Sequence, residues 1–183
     1  MPVARLYMRK MVGHLVLDAE SDALNKILDK AAESGEQLNL NLLGEAVLGE
    51  EEAKSRAQRT LKLIQNPRVT YVSVKASSMV AQLNHWDIDG SVERLKERLR
   101  PLYQAAADRT DKVFINMDME EYHDLHLTIR LFKELLSEPE FLTLDAGIVL
   151  QAYLPDTFDA LKDVADFAKE RVAKGGGKVK VRI

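Results

Sequence analysis

The stretch Tyr71-Val72-Ser73-Val74-Lys75-Ala76-Ser77 is the pattern around which the rest of the chain is interpreted. Its β-branched and small residues predict a buried strand over 70–75 that ends in a single lysine. Four other stretches repeat this design, and each carries a different polar residue near its end. They are the predicted strands 38–43, 113–117, 148–154 and 178–183, with Glu45, Asp118, Gln151 and Arg182.

Helical patterns separate the predicted strands. We predict helices over 4–18, from a Ser21-Asp22 cap to Gly35, and over 50–65, 91–107, from about 120 and over 157–174. Pro101 is expected to kink or split its helix, and Tyr122, Phe158 and Val172 are expected to face the core. Strands and helices alternate every ~30 to 40 residues, which is typical of βαβ units and a parallel sheet.

Two parallel architectures fit this alternation. A doubly wound nucleotide binder carries a glycine-rich turn after its first strand, and Leu43-Gly44-Glu45-Ala46 does not supply one. A barrel collects its chemistry at the carboxyl ends of many strands. We therefore predict an α/β fold with parallel strands 1–5 of a partial (β/α)₈ TIM-type barrel. Residues 1–36 would be N-terminal helices leading into it, and residues 37–183 its first half, ending after the fifth strand.

Composition excludes several classes of protein. The chain has 183 residues, of which 46% are hydrophobic and 30% charged, as is ordinary for a globular protein. Its net charge of −3 and its 6% aromatic content argue against nucleic-acid binding. It has no cysteine, so disulfides and thiolate catalysis are excluded. No long apolar run or signal-peptide pattern occurs, and we expect a cytoplasmic protein.

The polar strand ends suggest particular chemistry. Lys75 suits an anion, or a Schiff base formed with a carbonyl substrate, and Asp118 is expected to pair with it across adjacent strands. Gln151 offers a donor and an acceptor for an amide-imide edge such as that of a flavin ring. Arg182 suits anionic or electron-rich groups, and Glu45 would close a salt bridge over the site.

Three other patterns are interpreted as structural. His123-x-x-His126 lacks an obvious third ligand, so we expect a solvated helix face and no metal. The segment 175–177, Gly-Gly-Gly, lies between a predicted helix and a strand and is interpreted as a turn, because a phosphate loop has the reverse order. The methionines are interpreted as core residues.

The strand ends resemble, one after another, the proline dehydrogenase family, in particular the domain found in bifunctional proline utilization A enzymes. Five stretches carry the resemblance and together span nearly the whole chain. They are Asn41-Leu42-Leu43-Gly44-Glu45, Tyr71-Val72-Ser73-Val74-Lys75, Asn116-Met117-Asp118-Met119-Glu120-Glu121-Tyr122, Gly147-Ile148-Val149-Leu150-Gln151-Ala152-Tyr153-Leu154-Pro155 and Lys180-Val181-Arg182-Ile183. The segment 4–13 also looks like the lead-in to the barrel of such enzymes.

The resemblance implies an FAD enzyme that oxidises L-proline to Δ1-pyrroline-5-carboxylate and passes electrons to membrane quinone. Lys75 would then contact the substrate carboxylate, with Asp118 beside it as a catalytic residue. Met119 and Gln151 would contact the flavin, and Arg182 would tune its reduction. In this family pattern Glu45 gates the site by pairing with an arginine of the last barrel helix.

The resemblance also implies that strands six to eight and that last helix are missing from the chain. We therefore expect that these 183 residues alone bind FAD weakly, lack proline oxidation activity and self-associate through their unpaired strands. Two other functions stay open: a barrel enzyme with Lys75 as a Schiff-base residue, and a non-catalytic scaffold.

Overall fold

A computed structural model describes Tyr7, Met11 and residues 22–42 and 47–183. The predicted helix over 4–18, its Ser21 neighbour and Glu45 therefore fall outside the described residues, apart from Tyr7 and Met11. The chain divides into two compact units, Met1–Leu38 and Asn39–Ile183. Their assignment as lead-in helices and half-barrel stays a prediction.

The first unit contains helix α1, Asp22–Glu33. Leu24, Leu28 and Ala31 are buried at helical spacing, as the apolar stripe predicts. Gly35 has a φ of +72° and follows the end of the helix. Its amide donates to Ala32, and the next amide donates to Ala31, which is a Schellman motif. The predicted glycine stop is confirmed.

The second unit alternates strands and helices along the chain. The elements are β1 Leu40–Asn41, α2 Glu50–Gln65, β2 Tyr71–Lys75, α3 Ile88–Asp108, β3 Phe114–Asp118, α4 Leu125–Leu136, β4 Ala146–Val149, α5 Thr157–Ala173 and β5 Val179–Arg182. Short 3₁₀ turns lie at Ala76–Ser78, Tyr122–Asp124 and Pro139–Phe141.

All five strands are parallel and lie in the order β1-β2-β3-β4-β5. Successive strands are neighbours, so the sheet winds in one direction without the reversal of order that defines a doubly wound fold. Helices α2 to α5 connect the strands, and each packs against the next. This is the predicted α/β architecture of a partial (β/α)₈ barrel.

The two faces of the sheet differ in polarity. Val72, Val74, Ile115, Met117 and Ile148 are almost fully buried and form the apolar core together with the helices. Because side chains alternate along a strand, residues 73, 75, 116, 118, 180 and 182 project from the other face. The core therefore lies between the sheet and its helices, and the polar strand residues occupy the opposite face.

Helix α3 differs from its prediction in where it begins, and Pro101 does not split it. It begins at Ile88, where the Asp87 side chain accepts a hydrogen bond from the Gly90 amide, and so starts before the predicted Ser91. Pro101 lies inside a continuous helix and does not split it. Pro101 and Glu97, whose carbonyl loses its helical donor, are both exposed, so water can satisfy that carbonyl.

Three residues expected in the core are exposed. The segment Tyr122–Asp124 forms a 3₁₀ turn, so α4 begins at Leu125 and Tyr122 is 56% exposed. Phe158 and Val172 of α5 are also exposed, and the Lys162 ammonium lies 4.0 Å from the Phe158 ring centre. The buried face of α5 instead carries Thr157, Ala160, Val164 and Arg171.

Two arginines donate hydrogen bonds to the loops at the amino ends of the strands and stabilise them. Arg171 is buried and donates to the carbonyl oxygens of Phe141 at 2.7 Å, Leu144 at 2.8 Å and Gly177 at 3.1 Å, and also to Leu136. Arg109 donates in the same way to four carbonyls between residues 64 and 69. Burial lowers the pKa of Arg171.

The glycine segment is a helix-to-strand turn as predicted, between Ala173 and Val179. Across the described residues, helices are too short or too polar to cross a bilayer.

Candidate active site

Polar side chains converge at the carboxyl ends of β2, β3 and β5. Lys75 and Asp118 are register partners at the ends of adjacent strands. Arg182 ends β5 and is separated from β3 by β4. Parallel strands bring their carboxyl ends to one edge of a sheet, which is where barrel enzymes carry their chemistry.

Asp118 is the centre of this cluster. Its Oδ1 accepts hydrogen bonds from Asn116 Nδ2 at 2.6 Å, Arg182 Nη2 at 2.9 Å and Ser73 Oγ at 3.3 Å. Its Oδ2 accepts from Asn41 Nδ2 at 3.1 Å. Among the described residues Oδ2 therefore has one donor and Oδ1 three, so Oδ2 keeps room for a donor on a bound molecule.

Burial raises the pKa of the Asp118 carboxyl. The charge of Arg182, the hydrogen bonds from Ser73 and Asn116 and the charge of Lys75 oppose this effect without overcoming it. The residue is only 9% exposed, so the charged form has lost most of its water. A carboxyl group in such an environment is a common feature of functional sites.

A polar layer below Asp118 was missing from the sequence prediction. Asn39 Nδ2 donates to Ser73 Oγ at 2.9 Å, and Asn116 Nδ2 lies 3.4 Å from the same oxygen. Gly147 occupies this layer next to Asn116, where an added Cβ would lie 2.5 Å from Asn116 Oδ1. The layer holds the groups that donate to Asp118 in place.

A signal for this layer was present in the sequence. Four predicted strands carry two polar residues two positions apart, as Asn39-x-Asn41, Ser73-x-Lys75, Asn116-x-Asp118 and Lys180-x-Arg182. Residues two apart on a strand share a face. This repeat therefore marks a second tier of polar side chains on the face that bears the site.

An aromatic layer lies below the polar one. The rings of Tyr71 and Phe114 contact edge to face, with centres 4.9 Å apart. The Lys180 ammonium lies 5.2 Å from the Tyr71 ring centre and 5.9 Å from that of Phe114. Three tiers therefore fill this face, and the charged tier lies at the carboxyl ends of the strands.

The expected pairing of Lys75 with Asp118 is wrong. Lys75 Nζ instead lies 2.7 Å from Glu120 Oε1, and Asp118 pairs with Arg182. The residues are opposite in register, but the chain turns after β3 and brings Glu120 over the end of β2. Glu120 was interpreted as the start of a helix, and nothing in its local sequence distinguishes it as a partner.

Glu120 also meets the predicted flavin residue Gln151. Gln151 Nε2 donates to the Glu120 carbonyl at 2.8 Å, and the Gln151 carbonyl accepts from Thr157 Oγ1 at 2.6 Å. Strand β4 ends at Val149, before the predicted Leu154, so Gln151 lies in the connection to α5. Met119 follows Asp118 and is buried. Glu120 thus links Lys75 to Gln151 beside Asp118.

The chemistry of this donor set suits an anionic or electron-rich ligand. The Arg182 side chain is 45% exposed and the Lys75 side chain 14% exposed, so Arg182 is accessible and Lys75 is partly accessible beside the Asp118 carboxylate. Among the described residues no group donates to the side-chain oxygen of Gln151, which can therefore accept an imide N–H. A flavin and a zwitterionic substrate fit these groups in kind.

Comparisons with known proteins match the chain to one family. A family model described as proline dehydrogenase matches residues 23–183. Bifunctional protein PutA of Klebsiella aerogenes is 29% identical over 157 residues, covering 78% of this chain and 12% of the relative. The bifunctional protein PutA of Escherichia coli (strain K12) has the same identity and coverage. The chain thus spans a small part of these relatives.

Solved structures give the same result. The proline utilization A (PutA) of Corynebacterium freiburgense matches with a TM-score of 0.92 and 66% identity, over 96% of this chain and 18% of that chain. The PutA of Bdellovibrio bacteriovorus, inactivated by N-propargylglycine, matches with a TM-score of 0.74 and 32% identity, over 86% of this chain and 18% of that chain.

Proposed function

The chain belongs to the proline dehydrogenase family, and on that premise we propose that it supplies part of a site that oxidises L-proline to Δ1-pyrroline-5-carboxylate. The observation that carries the proposal is the cluster at the carboxyl ends of β2, β3 and β5. There the Asp118–Arg182 ion pair lies beside a partly accessible Lys75. Each charged part of the substrate has a matching side chain in this cluster.

Proline is a zwitterion, with a carboxylate and a secondary ammonium group in a five-membered ring. Lys75 has three N–H donors, and the Glu120 contact uses one of them, which leaves donors for the substrate carboxylate. The Oδ2 of Asp118 is suited to accept an N–H of the substrate amine. Asn41, Ser73 and Asn116 position Asp118 for this contact.

FAD is the proposed cofactor. When bound, it would accept the two electrons that proline loses as its C–N bond becomes a C=N bond. Arg182 would lie against the electron-rich edge of the ring system, Gln151 would meet its amide-imide edge, and Met119 would support it. Arg182 thereby has two roles, as partner of Asp118 and as a cation that stabilises added negative charge.

Other parts of the proposal concern the longer protein. Quinone in the membrane is proposed as the final electron acceptor, in a cytoplasmic enzyme with a peripheral contact at the membrane. Glu45 is proposed to gate the site.

For the 183 residues alone we propose weak FAD binding, no turnover and self-association. The described residues form five strands of an eight-stranded architecture, and β1 and β5 each have one neighbour among them. Light scattering is expected to give a dimer or larger species. A stable monomer at high concentration would contradict the self-association.

A Schiff-base function for Lys75 is disfavoured by its environment. The lysine already contacts the Glu120 carboxylate at 2.7 Å, whereas a Schiff base needs an amine that is free to attack a carbonyl. Borohydride trapping with carbonyl substrates is expected to give no adduct on Lys75.

The test of the main proposal is a chimera. Residues 1–183 replace the matching segment of the Corynebacterium freiburgense protein, which is 66% identical. We expect the purified chimera to be yellow and to reduce a dye when proline is added. The Asp118→Asn chimera is expected to keep its flavin and lose most activity. A chimera that holds flavin but does not react with proline, beside an active unaltered relative, would refute the proposal.

A further inference from the structure

Two imidazoles and a carboxylate meet beyond the ends of β2 and β3. His85 lies in the connection between β2 and α3, and His123 and Asp124 lie in the 3₁₀ turn after β3. One nitrogen from each ring and one oxygen of Asp124 lie within 4.8 Å of one another. In the sequence, His123 and His126 stand three positions apart. In the structure, the imidazole close to His123 is that of His85, which lies in a different connection.

The geometry is close to that of a metal site. His85 Nε2 lies 2.6 Å from Asp124 Oδ1, and His123 Nε2 lies 3.8 Å from the same oxygen. The two rings are edge to face, with centres 4.5 Å apart. Tetrahedral zinc with bonds of about 2.0 to 2.1 Å places its ligand atoms about 3.3 Å apart. The observed spacings bracket that value.

The burial of the three groups fits a site that loads from solvent. The Asp124 side chain is 7% exposed, so its carboxylate is held by the protein, while the His123 side chain is 58% exposed to solvent. Glu121 Oε2 lies 3.8 Å from His123 Nε2 and provides a fourth donor atom. Two imidazoles with one or two carboxylates are a donor set that zinc and its neighbours prefer.

We propose that His85, His123 and Asp124 bind a divalent transition metal ion of the zinc class, with Glu121 or water in the fourth position. The ion ties the β2–α3 connection to the β3–α4 connection. Glu120 lies next to Glu121 and contacts Lys75, so a bound ion also restrains the segment that holds this lysine. The site requires neither flavin nor proline, so its test is independent of the proposed function.

The test measures zinc in the full chain purified without a histidine tag. After equilibration with zinc and gel filtration, elemental analysis is expected to find one zinc ion per chain. Cobalt is expected to give the visible absorption of a four-coordinate site. The thermal midpoint is expected to rise with zinc and return with EDTA, because an ion bound only to the folded state stabilises it.

Single variants assign the ligands. The chain has four histidines, and we expect His85→Gln and His123→Gln to weaken zinc binding by more than the roughly 10- to 100-fold lost with an outer-shell partner. His126→Gln and His14→Gln are matched controls, and both are expected to bind zinc normally. His123 is exposed, so its replacement leaves the fold intact and is decisive even if another variant unfolds.

Three results would overturn the site. They are less than stoichiometric zinc at saturation, unchanged binding by His123→Gln, and loss of binding in His126→Gln. If zinc is less than stoichiometric, the structural role of these residues is limited to the 2.6 Å hydrogen bond between His85 and Asp124.

Discussion

Arg182 and Asp118 form an ion pair of 2.9 Å that spans β4, although neither residue lies on that strand. The pair joins residues 64 positions apart, and it directs the Asp118 Oδ1 towards β5. The other carboxylate oxygen is left for Asn41 and for a ligand. Arg182, together with Asn116 and Ser73, thus occupies Oδ1, and Oδ2 is the oxygen that the site presents.

The pH dependence of stability is expected to reveal Asp118. Its pKa in the folded chain is raised by burial, so between the ordinary value of 3.8 and the raised value the folded state holds more protons than the unfolded state. Stability from this group therefore falls as pH rises through that window. Urea unfolding at about pH 4 to 7 should show Asp118→Asn gaining stability relative to the unaltered chain as pH rises.

The informative quantity is the difference in free energy of unfolding between the Asp118→Asn variant and the unaltered chain at each pH. Glu134 and Glu138 have pKa values lowered by their arginine partners, and they change the pH profile of both chains in the opposite sense. A difference that is flat with pH, or that changes in the opposite direction, would contradict the raised pKa of Asp118.

Replacing Lys75 by methionine is expected to weaken proline binding. A hydrogen bond between charged groups contributes about 1.5 to 3 kcal/mol, so kcat/KM of the chimera should fall about 10- to 100-fold. Steady-state kinetics with proline measures this. Lys112→Met is the control, because Lys112 lies before β3, at its amino end, and donates to Thr143. An equal kcat/KM for the Lys75→Met chimera and the unaltered chimera would show that Lys75 does not bind the substrate.

Adding a methyl group at Gly147 is expected to disturb the polar layer. The new Cβ would lie 2.5 Å from Asn116 Oδ1 and 2.9 Å from a ring carbon of Phe114. Overpacking of this kind costs about 1 to 3 kcal/mol, measured as the free energy of unfolding in urea. Gly49→Ala is the matched control, since nothing lies within 4 Å of its Cβ position. Equal stability of both variants would contradict the tight packing at Gly147.

Loss of Arg171 is expected to loosen the amino ends of the last two strands. Its guanidinium is buried and serves four carbonyl oxygens, so Arg171→Met removes donors from groups that water does not easily reach. We expect a loss of about 3 kcal/mol in the free energy of unfolding. Lys169→Met on the same helix removes only an exposed ion pair with Asp166 and should change it by less than about 0.5 kcal/mol. Similar losses in both variants would refute the role of Arg171.

Helices and strands were predicted correctly where the local sequence contains start and stop signals. Helix α2 was predicted at its observed bounds, because three glutamates fill its first turn and Asn66-Pro67 follows its end. The prediction failed for Tyr122, where a 3₁₀ turn shifts the phase of the helix. Nothing in the sequence indicated that Arg171 is buried, because a charged residue in a helical pattern is normally on the exposed face.

Only part of the site was predicted, because the sequence marks strand ends but not contacts between distant residues. Lys75, Asp118 and Arg182 were predicted because they end strands, but the pairing of Asp118 with Arg182 was not predicted, and Glu120 was not identified as the partner of Lys75. Glu120 reaches Lys75 only through the path of the chain after β3, and His85 reaches Asp124 across 39 positions.

The sequence by itself determined the strand–helix alternation, the parallel sheet and the residues at the strand ends. Periodicity, caps and turns act within a few residues, so they can be read along the chain. Only the tertiary structure decided that Asp118 pairs with Arg182 and Lys75 with Glu120. A hydrogen bond or ion pair depends on a few ångströms between atoms, and that distance is set by the strand register and the connections, which no local pattern records.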